Sequence, residues 1–205
     1  MGTCDKFMNS KRAVLIIDFG TSNVHVNVID CQDGKMICGH AEKYIMYHPS
    51  AQMSELCPEE VWKASEISVR AVICSLPENV RLCAVSFSYF GDSIMAVDKD
   101  GMPMTNLMLC FDARGAAQAS RLAEKLGKRH IELTGEPCTL YSASSKLLWL
   151  QENEPKIFER ANGFWSIQQY ILKRLHLPVL CDCTMAARYN LFDNAQNMWS
   201  EELLN

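Results

Sequence analysis

The stretch Ala13-Val14-Leu15-Ile16-Ile17-Asp18-Phe19-Gly20-Thr21-Ser22 places the tightest limit on what this chain can fold into. Five consecutive apolar residues read as a fully buried strand. The strand ends in a carboxylate, and a Gly turn then sends the chain back into the alternating His25-Val26-Asn27-Val28-Ile29. Backbone N–H groups in such a turn form a nest for an anion, and the adjacent carboxylate suits the Mg²⁺ that accompanies a nucleotide. Any buried strand can end in Asp-x-Gly, so taken alone the segment supports a phosphate turn and a plain hairpin equally.

The following residues extend a meander. Asp33-Gly34 is a two-residue turn signal, and residues 36–47 read as a third strand. Pro58, Glu59 and Glu60 suit the first turn of a helix, in which Val61, Ser65, Val69, Val72 and Leu76 keep helical spacing up to Pro77. Residues 82–88 read as a buried strand. Residues 93–97 and 104–111 read as a hairpin around Asp98-Lys99-Asp100-Gly101. Helices follow over 113–126 (broken at Gly127), 142–151, 155–161, 166–175, 184–188 and 200–204. Strands early, helices late and one strand–helix–strand crossover predict a mixed α/β domain, a mixed sheet flanked by helices in the order of a ribonuclease H-like half-domain.

Composition narrows the partners. The 205 residues are 48% hydrophobic with a net charge of −4, enough for a sizeable core and without the basic face that nucleic acid or an anionic membrane would require. Residues 1–11 read as a flexible tail lacking the apolar core of a signal peptide, and no run of about 18 apolar residues is present to span a membrane. The ten cysteines contain no Cys-x-x-Cys pair. Cys74, Cys83 and Cys110 lie in apolar runs and read as buried thiols of a reducing cytosol rather than a disulfide framework. A cytoplasmic location is the expectation.

Several segments, in order, then resemble one family. Asp18-Phe19-Gly20-Thr21-Ser22 resembles the first phosphate motif of FGGY-type carbohydrate kinases. Val85–Ser88 and Ser93–Pro103 resemble that family's substrate strand and hairpin, and Phe111-Asp112-Ala113-Arg114 its Trp-x-Asp-x-Arg segment. Thr134-Gly135-Glu136-Pro137, Tyr141-Ser142 and Lys146-Leu147-Leu148-Trp149-Leu150 form the most specific block. Asn153-Glu154-Pro155, Asp182-x-Thr184-x-Ala186, Leu191-Phe192-Asp193 and Trp199-Ser200 complete it. The resemblance covers residues 12–205 and implies the sugar-binding N-terminal domain of an actin-like, ATP-dependent sugar kinase.

Carried over, Asp18 acts on Mg²⁺, while Gly20, Thr21 and Ser22 face the transferred phosphate of ATP. The resemblance likewise implies that Asp92 and Tyr141 bind the sugar or polyol. His25 stands where the family usually has Lys or Arg, replacing a permanent cation with one mostly neutral near pH 7. Cys110 replaces a Trp. The catalytic Asp, the second phosphate motif and the adenosine site are expected beyond Asn205. The chain therefore reads as half a kinase that lacks its C-terminal ATPase domain and is inactive alone, with an apolar interdomain face that would favour a homodimer. A stand-alone sugar-binding or regulatory module is the alternative. A chaperone-like nucleotide-binding fragment is disfavoured by residues 134–150 and the 98–103 hairpin.

Plainer roles stand beside these. Asp92 follows Gly91 and also reads as a turn residue, and Tyr141 as core. Asp112 and Arg114 read as a pair or a helix cap, and Asp182 as structural. His40, His48, His130 and His176 read as scattered surface residues.

Overall fold

The computed structural model describes residues 10–205. The sequence-predicted tail lies outside them except for residues 10 and 11, and Lys11 already opens the first strand. The chain divides into two compact units, one built from residues up to Ile45 with Glu59–Tyr89, the other from Met46–Pro58 with Phe90–Asn205.

The first unit is a four-stranded sheet and a helix. β1 (Lys11–Phe19), β2 (Asn23–Asp30) and β3 (Met36–Lys43) form the predicted antiparallel meander. β4 (Met46–Tyr47) and β5 (Glu55–Leu56) belong to the second unit. The chain then passes through α1 (Pro58–Ser75) to β6 (Val80–Tyr89), which lies parallel to β1 and gives the order β3-β2-β1-β6. A parallel neighbour requires such a crossover, because a tight turn returns the chain antiparallel. Helix α1 buries Val61, Ala64, Ser65, Ser68 and Val72, one stripe at helical spacing, and Ser68 Oγ meets His40 Nδ1 of β3 at 3.3 Å.

Three burial expectations are corrected here, for β1, for β6 and for the thiols. In β1 only Ala13, Leu15, Ile17 and Phe19 are buried, while Val14 and Ile16 on the other face are half-buried. β6 is an edge strand with one sheet neighbour, and Val85 is 52% exposed. The same edge leaves Cys83 exposed, at a bulge opposite Ala13 and Val14, with its sulfur 3.7 Å from that of Cys31. Cys74 is exposed at the end of α1, and Cys110 is half-buried. An apolar run reports hydrophobicity, whereas burial depends on what covers each face.

The second unit carries three small sheets. β7 (Met95–Val97) pairs with β9 (Gly163–Trp165), and β8 (Leu107–Met108) joins β5 and β4. β10 (Phe192–Asp193) pairs with β11 (Met198–Trp199). The expected third strand over 36–47 is thus split between units. The expected 93–111 hairpin returns only through single bridges, Val97 to Pro103 and Ile94 to Met108. Its tip is as predicted: Asp98 Oδ1 accepts the Asp100 and Met102 amides, and Gly101 takes φ +76°.

The helices follow the expected segments: α2 (Ala116–Thr134), α3 (Ala143–Asn153), α4 (Pro155–Arg160), α5 (Ile167–Arg174), α6 (Cys183–Ala187) and α7 (Glu201–Leu204). Gly127 kinks α2 without ending it, and Gly135 terminates it in the left-handed region. That continuation buries His130, against the expected surface position, and sets its Nε2 3.0 Å from the Asn190 carbonyl. Ile94, Ala96, Met108, Ala143, Leu150 and Tyr189 form a core of this unit. No helix among the described residues is long and apolar enough to cross a membrane.

Candidate functional site

The sequence-predicted residues fall into two groups, one in each unit. Asp18, Gly20, Thr21 and Ser22 lie at the β1–β2 turn of the first. Asp92 and Tyr141 belong to the second.

The turn is closed by its own backbone. The Gly20 amide donates to the Asn23 carbonyl at 2.9 Å. A β-carbon at Gly20 would stand 3.1 Å from that same oxygen, so the close approach favours glycine. The Tyr44 hydroxyl lies against the carbonyls of both Gly20 and Asn23, at 2.8 Å from the latter, and burial pushes this phenol's pKa up. With the carbonyls engaged, no hydrogen bond among the described residues uses the amides or hydroxyls of Thr21 and Ser22. Asp18 is half-buried and sits directly across the ladder from the exposed His25. A side chain at position 25 is therefore a same-face neighbour of the carboxylate. Free donors beside one carboxylate can hold a phosphate and its counter-ion.

The second group is assembled from distant residues. Asp92 adopts φ +55°, a conformation that non-glycine residues rarely take. Its carboxylate is 3.9 Å from the Arg188 guanidinium, which also pairs with Glu136 at 3.0 Å. Burial raises the pKa of Asp92, against the pull of Arg188 and Lys146. The side chain of Arg188 crosses Gly91 so closely that a β-carbon there would lie 2.8 Å from its methylenes. Tyr141 is 49% exposed, so the structure excludes the plain core reading for its ring.

Lys146 lies beneath these residues. Its side chain is wholly buried, and its ammonium donates to the carbonyls of Asp92 at 2.7 Å and Tyr141 at 2.8 Å. Burial lowers its pKa to about 8, although Asp112 and Asp92 favour the charged form. Asp112 and Arg114 do form the predicted pair. Asp112 is completely buried, accepts Nε and Nη2 of Arg114 at 2.8 Å each, and takes the Ser54 amide at 2.7 Å. Arg114 reaches Glu55 and lies 4.9 Å over the Trp149 ring. Asp182 is structural, capping α6 by accepting the Thr184 and Met185 amides.

Sequence reasoning missed Lys146, Arg188, Glu136 and Tyr44 as individual participants. Lys146 carried a signal, being the one charge inside the otherwise small and apolar Ser142–Leu150 segment. For Arg188, 96 residues from Asp92, none was available.

Comparison with known proteins now decides the family. The N-terminal domain of the FGGY family of carbohydrate kinases matches residues 13–205. The chain belongs to this family. A gluconokinase of Bacillus subtilis is 26% identical over 192 residues, covering 93% of this chain and 37% of the relative. A xylulose kinase of Lactococcus lactis is 28% identical over 195 residues, covering 93% and 38%. The solved gluconate kinase of Lactobacillus acidophilus matches with a TM-score of 0.89 at 22% identity, covering 95% of this chain and 39% of that one. The chain shares their actin-like ATPase fold, of ribonuclease H-like type, and spans well under half the length of these relatives.

Proposed function

We propose that these residues form the sugar-binding part of an ATP-dependent carbohydrate kinase, which transfers the γ-phosphate of ATP to a hydroxyl of a sugar or polyol. Family membership supports the reaction class. The observation that carries the sugar role is Asp92, a partly exposed carboxylate held in a left-handed conformation and flanked by Arg188. A carboxylate accepts hydroxyl protons, and the exposed ring of Tyr141 offers the apolar wall that sugars commonly stack on.

In this reading the Thr21 and Ser22 amides and hydroxyls receive the transferred phosphate. Phosphoryl transfer depends on positioning and on neutralising charge more than on covalent chemistry. Mg²⁺ fits the residues present: it takes one or two carboxylates, with water and phosphate oxygens completing its shell, and Asp18 is one carboxylate beside free donors. Bound there, Mg²⁺ supplies charge neutralisation on the phosphate. His25 would add positive charge only when protonated. The reading implies the cytoplasm, where ATP and small sugars meet. A C-terminal kinase domain would be the partner of these residues, and the 205 residues alone would bind sugar without turning over ATP.

Thermal melting in gluconate, xylulose and glycerol, with and without Mg-ATP, tests the proposal. A ligand at 100 times its Kd stabilises the folded state by about 2.7 kcal/mol. One sugar should raise the Tm, and Asp92→Ala should abolish the rise. A rise that survives Asp92→Ala would remove Asp92 from the site. Sugar-dependent ATP hydrolysis by the 205 residues would overturn the half-enzyme reading.

A further inference from the structure

We infer that Lys146 is a positioning residue for the substrate: its buried ammonium fixes Asp92 and Tyr141 relative to each other by holding both of their carbonyls. This rests on the proposed role of those two residues in binding sugar.

The argument begins with cost. Lysine is almost never fully buried unless paired, and Lys146 is wholly buried with no carboxylate within ion-pair distance among the described residues. Methionine or leucine would fill a helical core position without desolvating a charge. A stability role alone therefore accounts poorly for a lysine here. Its partners are informative. Of the carbonyls in this unit, the ammonium takes one from Asp92, 54 residues away, and one from Tyr141, five residues away.

Both partners are residues whose local backbone does not hold them. Asp92 sits at φ +55° between Gly91 and Ser93, outside any strand. Tyr141 lies just before α3, where its amide bonds only the Thr139 hydroxyl, at 3.3 Å. An ammonium donates in three directions, so one buried group can hold two loops at once, which an amide or a hydroxyl does less readily. Lys146 is itself anchored in the first turns of α3, a regular helix. The arrangement thus transfers the rigidity of a helix to two otherwise loosely held residues, the support that a precise binding geometry requires. Asp112 and Asp92 supply the negative field that keeps the amine charged against its burial, while Arg114 opposes it.

The test compares Lys146→Met with the parent chain by hydrogen–deuterium exchange and by titration with gluconate, xylulose and glycerol. The variant should melt cooperatively. Its backbone exchange should rise at least tenfold over residues 90–93 and over 139–142, with β7, β9 and α5 unchanged. Its affinity for the sugar should fall 10- to 100-fold. Unchanged exchange in either segment, or unchanged affinity in the folded variant, overturns the inference.

Should Lys146→Met fail to fold, nitrogen-15 spectra of lysine-labelled parent chain decide. A slowly exchanging ammonium coupled to the labelled carbonyls of Asp92 and Tyr141 supports the inference, and its absence overturns it. Asp92→Ala distinguishes the two levels of argument. Sugar binding that survives Asp92→Ala defeats the functional reading, while the exchange experiment still decides whether Lys146 fixes the two loops.

Discussion

Thr21 and Ser22 are neighbours in the chain, and what presents them is close at hand: a Gly20 amide bonded to Asn23 and Tyr44, just past the end of β3. Asp92, Glu136, Tyr141, Lys146 and Arg188 come from three stretches of the second unit and are joined through the Lys146 ammonium and the Arg188 guanidinium. Beneath them lies a further buried charge set, Asp112, Arg114 and Glu55. The first arrangement uses neutral hydrogen bonds, each worth little, so it should lose function gradually. In the second, Lys146 and the Asp112–Arg114 pair are removed from water, so losing one partner there leaves another buried without compensation. The difference teaches that sites of similar polarity fail differently, according to whether backbone or buried charge holds them.

The sharpest way to break that comparison is Asp112→Ala. It leaves the Arg114 guanidinium, whose side chain is 4% exposed, with Glu55 as its remaining ion-pair partner, and strands the Ser54 amide. Removing one member of a buried pair costs about 3–5 kcal/mol, which urea unfolding should resolve. A loss below about 1 kcal/mol, the range of an exposed pair, would show that the second unit does not depend on its buried charge.

Tyr44→Phe probes the other side. It deletes the hydroxyl against the Gly20 and Asn23 carbonyls and keeps the ring. The expected loss is about 1 kcal/mol, the net worth of one hydrogen bond. Phosphate or Mg-ATP should then bind more weakly, while the sugar-induced Tm rise stays unchanged. A large loss of stability would place the turn in the same class as the buried-charge region.

The same contrast explains how much was legible in the sequence. The Asp18–Ser22 turn could be read directly, because its residues are contiguous and a strand end, a Gly and two hydroxyls already specify the geometry. The meander was legible through to Lys43 for the same local reason, as was Gly127 as an interruption. The burial of β6 was not legible, since its apolar run says nothing of its place at the sheet edge. The partner of β7 was missed because β9 lies more than 60 residues on and is only three residues long. Arg188 could not be assigned to Asp92 without the fold, and Lys146 stood out only as a charge in a small and apolar segment. Resemblance supplied Asp92 and Tyr141; it did not supply what holds them.

Asp92→Asn gives the smallest effect and the finest test, because the two views of Asp92 predict opposite signs. Burial raises the Asp92 pKa above the ordinary 3.8, and Arg188 and Lys146 recover only part of that. The folded chain therefore binds this proton more tightly than the unfolded chain does. The stability that follows is fully present below pH 3.8 and is lost as the pH rises through the raised value in the folded state. At pH 7 the carboxylate is held at a cost, as binding groups often are. Asparagine is neutral throughout and escapes that loss. The variant should be more stable than the parent by about 0.5 kcal/mol at pH 7, the usual scale for a partly exposed position, with the gain shrinking towards pH 3.8. It should also lose the sugar-induced Tm rise. If Asp92→Asn instead destabilises the chain at pH 7, the Arg188 contact at 3.9 Å is a stabilising ion pair. Asp92 would then belong with Asp112 among the charges that hold the unit together, and the sugar would have to be sought elsewhere.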